Sequence, residues 1–258
     1  MRVGLLAAVG DDVFGAETLR LLREGGVDCS RVEVGPEPTG LSVVLSDGPS
    51  RATLTLVGAI DSPAPSWHSP ADVPPARHVH VSSFFLQRRR AAALPRLLPL
   101  VRAAGATISL DTNLDPSGRY PGLAEVLPFV DLLLPNAQEC LASAAALGGS
   151  VGADLESAAR TLAAAGPTVV VKDGAEGALL VGPDRVLREP GTPVVPVDTT
   201  GAGDTFDAAF VAALLEGRGE AEALLRACAA GALSTLHTGG TAGQPTAEEL
   251  LAASSRSA

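Results

Sequence analysis

The sequence predicts an α/β fold built on a mostly parallel sheet, and three observations predict it. Short apolar runs recur along the chain, stretches of helical spacing separate most of them, and 46% of the residues are hydrophobic against 19% charged, ample for a core. Parallel strands need crossovers, and helical crossovers cover the sheet on both faces. At 258 residues one principal domain spanning 1–258 is expected, since alternating α/β folds reach this size around one sheet.

The elements follow in order. Residues 3–9 (VGLLAAV) form a continuous apolar run, and from Ala16 to Arg23 the pattern turns helical, so a buried strand leads into a helix. Apolar runs return at 78–82, 106–111, 130–134 and 168–172, with helical stretches near 90–104, 121–127 and 137–164. Residues 40–58 break the alternation: two β-rich runs flank Asp47-Gly48, the signal of a hairpin, expected over about 38–60 as a small lid. The Pro-rich stretch 61–75 reads as an irregular loop, and 176–188 as two short strands around Gly182-Pro183. Helices dominate from Gly203, at about 203–216, 220–236 and 246–253, before a tail from Ser254 to Ala258 expected to fray.

Composition excludes several classes. A formal charge of −10 opposes attraction to nucleic acid or anionic membrane, which requires clustered positive charge. No apolar run reaches the roughly 18–20 residues of a spanning helix, and the Met1 region has no basic stretch leading into an apolar block, so a cytoplasmic protein is expected. Cys29, Cys140 and Cys228 are odd in number and lack CxxC spacing, which predicts reduced, buried thiols. Lys172 is the only lysine. A bound polyanion would therefore rest mainly on backbone N–H groups, helix N-termini, Arg and metal ions.

The most informative stretch is Asp198-Thr199-Thr200-Gly201-Ala202-Gly203-Asp204, followed by an apolar helical run. Small residues before a helix let backbone N–H groups point outward at its positive end, an anion site. Asp204, in the first turn beside that site, is placed to accept a proton from an attacking hydroxyl. At the end of the strand 130–134, Asn136 and Glu139 share one helical face, where both can address a hydrated metal; a plain capping box accounts for the same pair. Asp111 and Asn113 end another strand, at the edge where α/β sheets bind ligands, and a turn-forming Asx pair before Asp115-Pro116 is an equal account of them.

The run from Asp198 through Phe210 resembles the C-terminal signature of the PfkB, or ribokinase-like, carbohydrate kinases. The resemblance extends through Gly10-Asp11-Asp12-Val13-Phe14-Gly15, the Asn136-x-x-Glu139 element and Val169 to Gly177, to about Gly240. It implies a three-layer α/β/α fold with a β lid and an ATP-dependent kinase acting on a sugar or nucleoside-like hydroxyl. By the same resemblance Asp204 is the base and Gly201, Ala202 and Gly203 form the anion hole. Asn136 and Glu139 address Mg²⁺ through water, while Asp198, Thr200, Ser234 and Gly239 surround a monovalent cation such as K⁺. Gly174, Gly177 and Ala227 border the nucleotide. Lys172 reaches phosphate, although a solvated lysine at a strand end explains it equally. Asp11, Asp111 and Asn113 face substrate. Lids of this family often pair into dimers.

One departure stands out. Family members open with a further strand carrying an acidic sugar ligand, then lid strands and a GG-x-x-x-N element, whereas here Met1 directly precedes the strand leading to Gly10. Either the start lies upstream, or half of the substrate site is missing and the protein binds ATP or sugar without turnover. A missing central strand would expose sheet edges and favour a partner. Other nucleotide folds fit worse. The first strand is followed by no GxGxxG, and Ala16-Glu17 stand where a P-loop needs Lys and Ser or Thr.

Overall fold

The computed structural model describes residues 1–47, 50–63, 68–115 and 117–254, and divides into two compact units. Gly48 of the expected hairpin turn, Pro116, the middle of the Pro-rich loop and the last four residues lie outside the described ones.

The first unit comprises Met1–Ser66 and Leu86–Ala93. Strand β1 (Gly4–Gly10) runs parallel to β2 (Asp28–Gly35), with α1 (Val13–Glu24) as the crossover. Val9, Leu19 and Cys29 form a small core between them. Asp12 caps α1 by accepting from the Gly15 amide, and its carboxylate also takes the Thr39 amide and hydroxyl at 2.8 and 2.7 Å. The expected hairpin is present as β3 (Leu41–Asp47) antiparallel to β4 (Ser50–Leu56). The short helix α2 (Arg88–Ala91) completes this unit. Strand β2 was not legible in the sequence: it is largely exposed, so its apolar residues do not alternate cleanly.

The second unit, Trp67–Phe85 with Leu94–Ala258, holds a six-stranded sheet. Its strands are β5 (His78–Val81), β6 (Thr107–Leu110), β7 (Leu132–Leu133), β8 (Thr168–Lys172), β9 (Ala178–Val181) and β10 (Val186–Glu189), in the order β10-β9-β8-β7-β6-β5. The pairs from β5 to β8 are parallel, and β9 and β10 add an antiparallel edge. Crossovers are α3 (Leu94–Ala103), α4 (Leu123–Val126), α5 (Ala137–Ala146) and α6 (Leu155–Ala163); α7 (Ala202–Leu215), α8 (Glu220–Ser234) and α9 (Ala247–Ser254) follow the sheet. The helical stretch expected over 137–164 is thus two helices, because the chain leaves α5 at Gly148, whose φ is +91°.

Alternation along β8 explains why both faces are covered. Val170 packs with Leu134 and Leu180 against Phe206, Phe210 and Leu224 of α7 and α8, while Val169 and Val171, also fully buried, point to the face carrying α5 and α6. Ala, Val and Leu fill the core as the low aromatic content requires. All three cysteines are buried and free.

On one face of β5, His78 donates or accepts with Thr107 Oγ1 at 2.8 Å and Ser109 Oγ at 2.7 Å, and His80 shares the same Ser109 oxygen at 2.7 Å. Burial, aided by His80 and opposed by Asp131, lowers the His78 pKa to about 4. The unfolded chain, with a histidine pKa near 6.5, therefore binds a proton that the native state refuses. The stability His78 contributes is complete above pH 6.5 and is lost as pH falls toward 4. Thermal melts over that range should show a falling Tm in the wild type and a shallower fall in His78→Gln; parallel curves would remove His78 as the cause.

Candidate active site

In a parallel sheet all strands end at one edge, so β6, β7 and β8 deliver their following residues to a common place. Asp111 follows β6, and Asn136, just beyond β7, bridges to Lys172 at the end of β8. Lys172 in turn binds Asp207 of α7, which brings the N-terminus of that helix to the same edge.

The anion turn forms as its glycines allow. Gly201, the N-cap of α7, has φ +75°, and a Cβ there would lie 2.6 Å from the Gly240 carbonyl oxygen. The first-turn amides of a helix have no partner four residues back. The Ala202 amide reaches Thr199 O at 3.3 Å, whereas those of Gly203 and Asp204 have no acceptor among the described residues. Asp204 itself is exposed in the first turn, beside those amides. A positive helix end and an adjacent accessible carboxylate can hold an anion and accept a proton together.

Asn136 and Glu139 form the capping box outright. Asn136 Oδ1 accepts from the Glu139 amide at 2.9 Å, while Glu139 accepts from the Asn136 amide at 2.9 Å and from its Nδ2 at 2.7 Å. Burial raises the Glu139 pKa, and the hydrogen bond from the Asn136 amide opposes this. The box does not exhaust the pair, because each carboxylate oxygen keeps a second lone pair. At the neighbouring strand end, Asn113 Oδ1 is buried without a hydrogen-bond partner among the described residues, and the Thr112 hydroxyl lies beside the Glu139 carboxylate. Such an oxygen-rich edge fits a hydrated Mg²⁺. Asn113 adopts φ +55°, so the chain turns sharply here.

Lys172 is not a solvated strand end. Its Nζ lies 3.0 and 2.9 Å from the two Asp207 oxygens and 3.7 Å from Asp111. Burial works against its charge, but Asp207, Asp111 and Glu139 together hold its pKa above the ordinary lysine value.

Three of the four residues expected around a monovalent cation are joined. Asp198 accepts from the Thr200 amide and hydroxyl at 3.0 and 2.8 Å, and its other oxygen accepts from the Gly239 amide at 2.9 Å. The fourth, Ser234, is buried with its hydroxyl on Gly231 O, and its carbonyl faces Gly243. Gly177, with φ +99°, closes against Glu189 O so tightly that no Cβ fits, and Gly174, φ +57°, opens the same turn in free space. Ala227 is fully buried in the core that α7 and α8 share. Asp11, exposed, belongs to the first unit and is described with it; its amide donates to Gly35 O.

Sequence reasoning missed Asp207. It stands one turn beyond Asp204 in an otherwise apolar helix, and a carboxylate on the buried face of such a helix requires a partner. That mismatch was the available signal.

A parallel sheet covered on both faces, with an anion turn, a carboxylate and an acidic capping box at one edge, defines a phosphotransferase acting on a small-molecule alcohol. The chain belongs to the family described as pfkB family carbohydrate kinase, whose model matches residues 1–247. An ATP-dependent ribose-1-phosphate kinase of Halopiger xanaduensis is 34% identical over 96% of this chain and 79% of its own length. A ribokinase of Bacillus subtilis is 27% identical over 96% and 80%. Among solved structures, Arabidopsis thaliana ribokinase complexed with ribose and ATP is 28% identical with a TM-score of 0.84, covering 98% of this chain and 82% of that one. The fold is therefore ribokinase-like and the protein a sugar kinase. Among the described residues no helix is long and apolar enough to cross a membrane.

Proposed function

We propose that this chain transfers the γ-phosphoryl group of ATP to a hydroxyl of a small sugar or sugar-like molecule, with Asp204 as the base. The observation that carries the reading is the exposed Asp204 carboxylate beside first-turn amides of α7 that have no acceptor among the described residues. Asp204 takes the hydroxyl proton as the oxygen attacks phosphorus. The amides of Gly203 and Asp204 steady the transferring group, and the Gly201-Ala202 turn aims them. Mg²⁺, held through water by Asn136 and Glu139, would supply charge neutralisation of the phosphates. The oxygen set of Asp198, Thr200, Ser234 and Gly239 would suit K⁺. Gly174 and Gly177 give the nucleotide a close backbone approach, the core around Ala227 supports that side of the pocket, and Lys172 lies within reach of the phosphate region. On the substrate side Asp111 and Asn113 offer hydrogen bonds to hydroxyls, and Asp11 of the first unit is a separate candidate for the same role.

The whole chain works as one kinase domain in this reading, in the cytoplasm where ATP is available. The hairpin β3–β4 supports a lid that pairs with a second copy: Val43, Val44, Leu45, Leu54 and Leu56 are 47–64% exposed. The named relatives act on ribose or its 1-phosphate, so both kinds of acceptor head the panel. ADP release with Mg²⁺ and K⁺ should appear with one class of sugar and be absent without acceptor. Saturable ATP binding without acceptor-dependent release would mark a binding protein instead.

A further inference from the structure

We propose that the buried Lys172–Asp207 ion pair is a positioning element for phosphoryl transfer: it ties the start of α7 to the end of β8 and supplies the cation that balances the carboxylates beneath the anion turn. The proposal rests on the kinase reading above.

The geometry is specific. Lys172 addresses Asp207 with both carboxylate oxygens at 2.9–3.0 Å, and the Lys172, Asp207 and Asp111 side chains are only 12%, 3% and 10% exposed. The lysine stem runs directly under the turn: a Cβ on Gly203 would lie 3.7 Å from its Nζ and 3.9 Å from Cδ and Cε. Asp207 is one helical turn from Asp204, so whatever fixes the one side chain fixes the rotation of the turn that presents the other.

Charge gives the second half of the argument. Asp207 of α7, Asp111 after β6 and Glu139 of α5 gather around one ammonium, Asp204 acts on Asp207, and His80 of β5 feels Lys172, Asp111 and Asp204. Burial pushes Asp207 upward as Lys172 pulls it back, and Asp111 and Asp204 add to the push. Lys172, the chain's only lysine, is the cation that these carboxylates share. Lys172 is then a positioning residue, with its donors on carboxylates and its effect passing through α7.

The test separates positioning from simple stability. Lys172→Met alone strands a buried carboxylate, so the informative variant is Lys172→Met combined with Asp207→Leu, since buried ion pairs replaced by apolar groups commonly keep their stability. The expected result is a double variant with wild-type Tm and ATP affinity but kcat lower by about 10–100-fold, the scale of a 1 Å misplacement. Removing the pair takes away one positive and one negative charge, so the acidic limb of its pH–rate profile should stay near wild type, whereas in Lys172→Met, which loses the cation alone, the limb should rise by about 1 pH unit because the remaining carboxylates ionise less readily. Lys172→Arg, which keeps the charge, should hold the limb near wild type, unlike Lys172→Met, and retain part of kcat. The same set is titrated with ADP and aluminium fluoride, a phosphoryl mimic, and selective loss of mimic affinity in the double variant is expected even where turnover is slow.

A double variant with wild-type kcat and mimic affinity overturns the proposal and leaves the kinase reading intact. A wild-type chain that neither turns over any acceptor nor binds the mimic overturns both. Should the double variant not fold, Lys172→Arg decides, a limb displaced as far as in Lys172→Met counting against the role of charge.

Discussion

Asp204→Asn is expected to lower kcat by about 10²–10⁴-fold, the range for a lost general base, while leaving ATP affinity and Tm near wild type. Asn occupies the same volume and differs in having no carboxylate to take the proton. Asp204 is exposed and among the described residues makes no side-chain hydrogen bond or ion pair, so little else changes. Its first-turn charge favours the helix by only about 0.3–1 kcal/mol, and removing a negative group beside a bound polyanion does not weaken ATP. The measurement is ADP release across the acceptor panel with calorimetric ATP binding beside it. Equal turnover in wild type and variant would take the base role from Asp204 and turn attention to another carboxylate of the cluster.

Gly201→Ala should have the next largest effect, on stability and rate together. A non-glycine residue at φ +75° is strained by about 1–2 kcal/mol, and the new Cβ would meet the Gly240 carbonyl at 2.6 Å. That neighbour is backbone, so the turn itself must move. A displacement of about 1 Å at the transferring group is enough for a loss of roughly 10²-fold in kcat. Gly203→Ala provides the comparison for stability, because its Cβ would meet only Lys172 atoms at 3.7–3.9 Å, ordinary contact. Melting curves should place Gly201→Ala clearly below wild type and Gly203→Ala close to it. The reverse order would mean that the turn tolerates the strain and that the anion site is set elsewhere.

The two variants probe different origins of one site. The backbone of 198–204 is almost wholly written in local residues: two glycines, a first-turn carboxylate, and an Asp198 that binds Thr200 two residues on. The same is true of the box between Asn136 and Glu139, where spacing alone brings both partners onto one turn. The metal role and the capping role were open in the sequence, and the geometry makes the cap certain while keeping free lone pairs for the other.

Local order of that kind was what the sequence by itself determined: the α/β class, strands β1 and β5 to β10, the hairpin, helix starts at α5 and α7, and the residues of the anion turn. Period-2 and period-3.6 patterns, caps and glycine turns act over a few residues, so they can be read from neighbours in the chain. Tertiary structure decided the remainder. Strand β2 exists because it pairs with β1, although its own pattern is too exposed to announce it. Ala227 became core because α8 packs on α7. Lys172 met Asp207, 35 residues away, rather than solvent. A side chain at a strand end is equally able to reach water, phosphate or a carboxylate, and only the register of β8 against β7 and the rotation of α7 choose among them. Burial then makes that choice binding, because an ammonium removed from water must keep the partner that the fold provides.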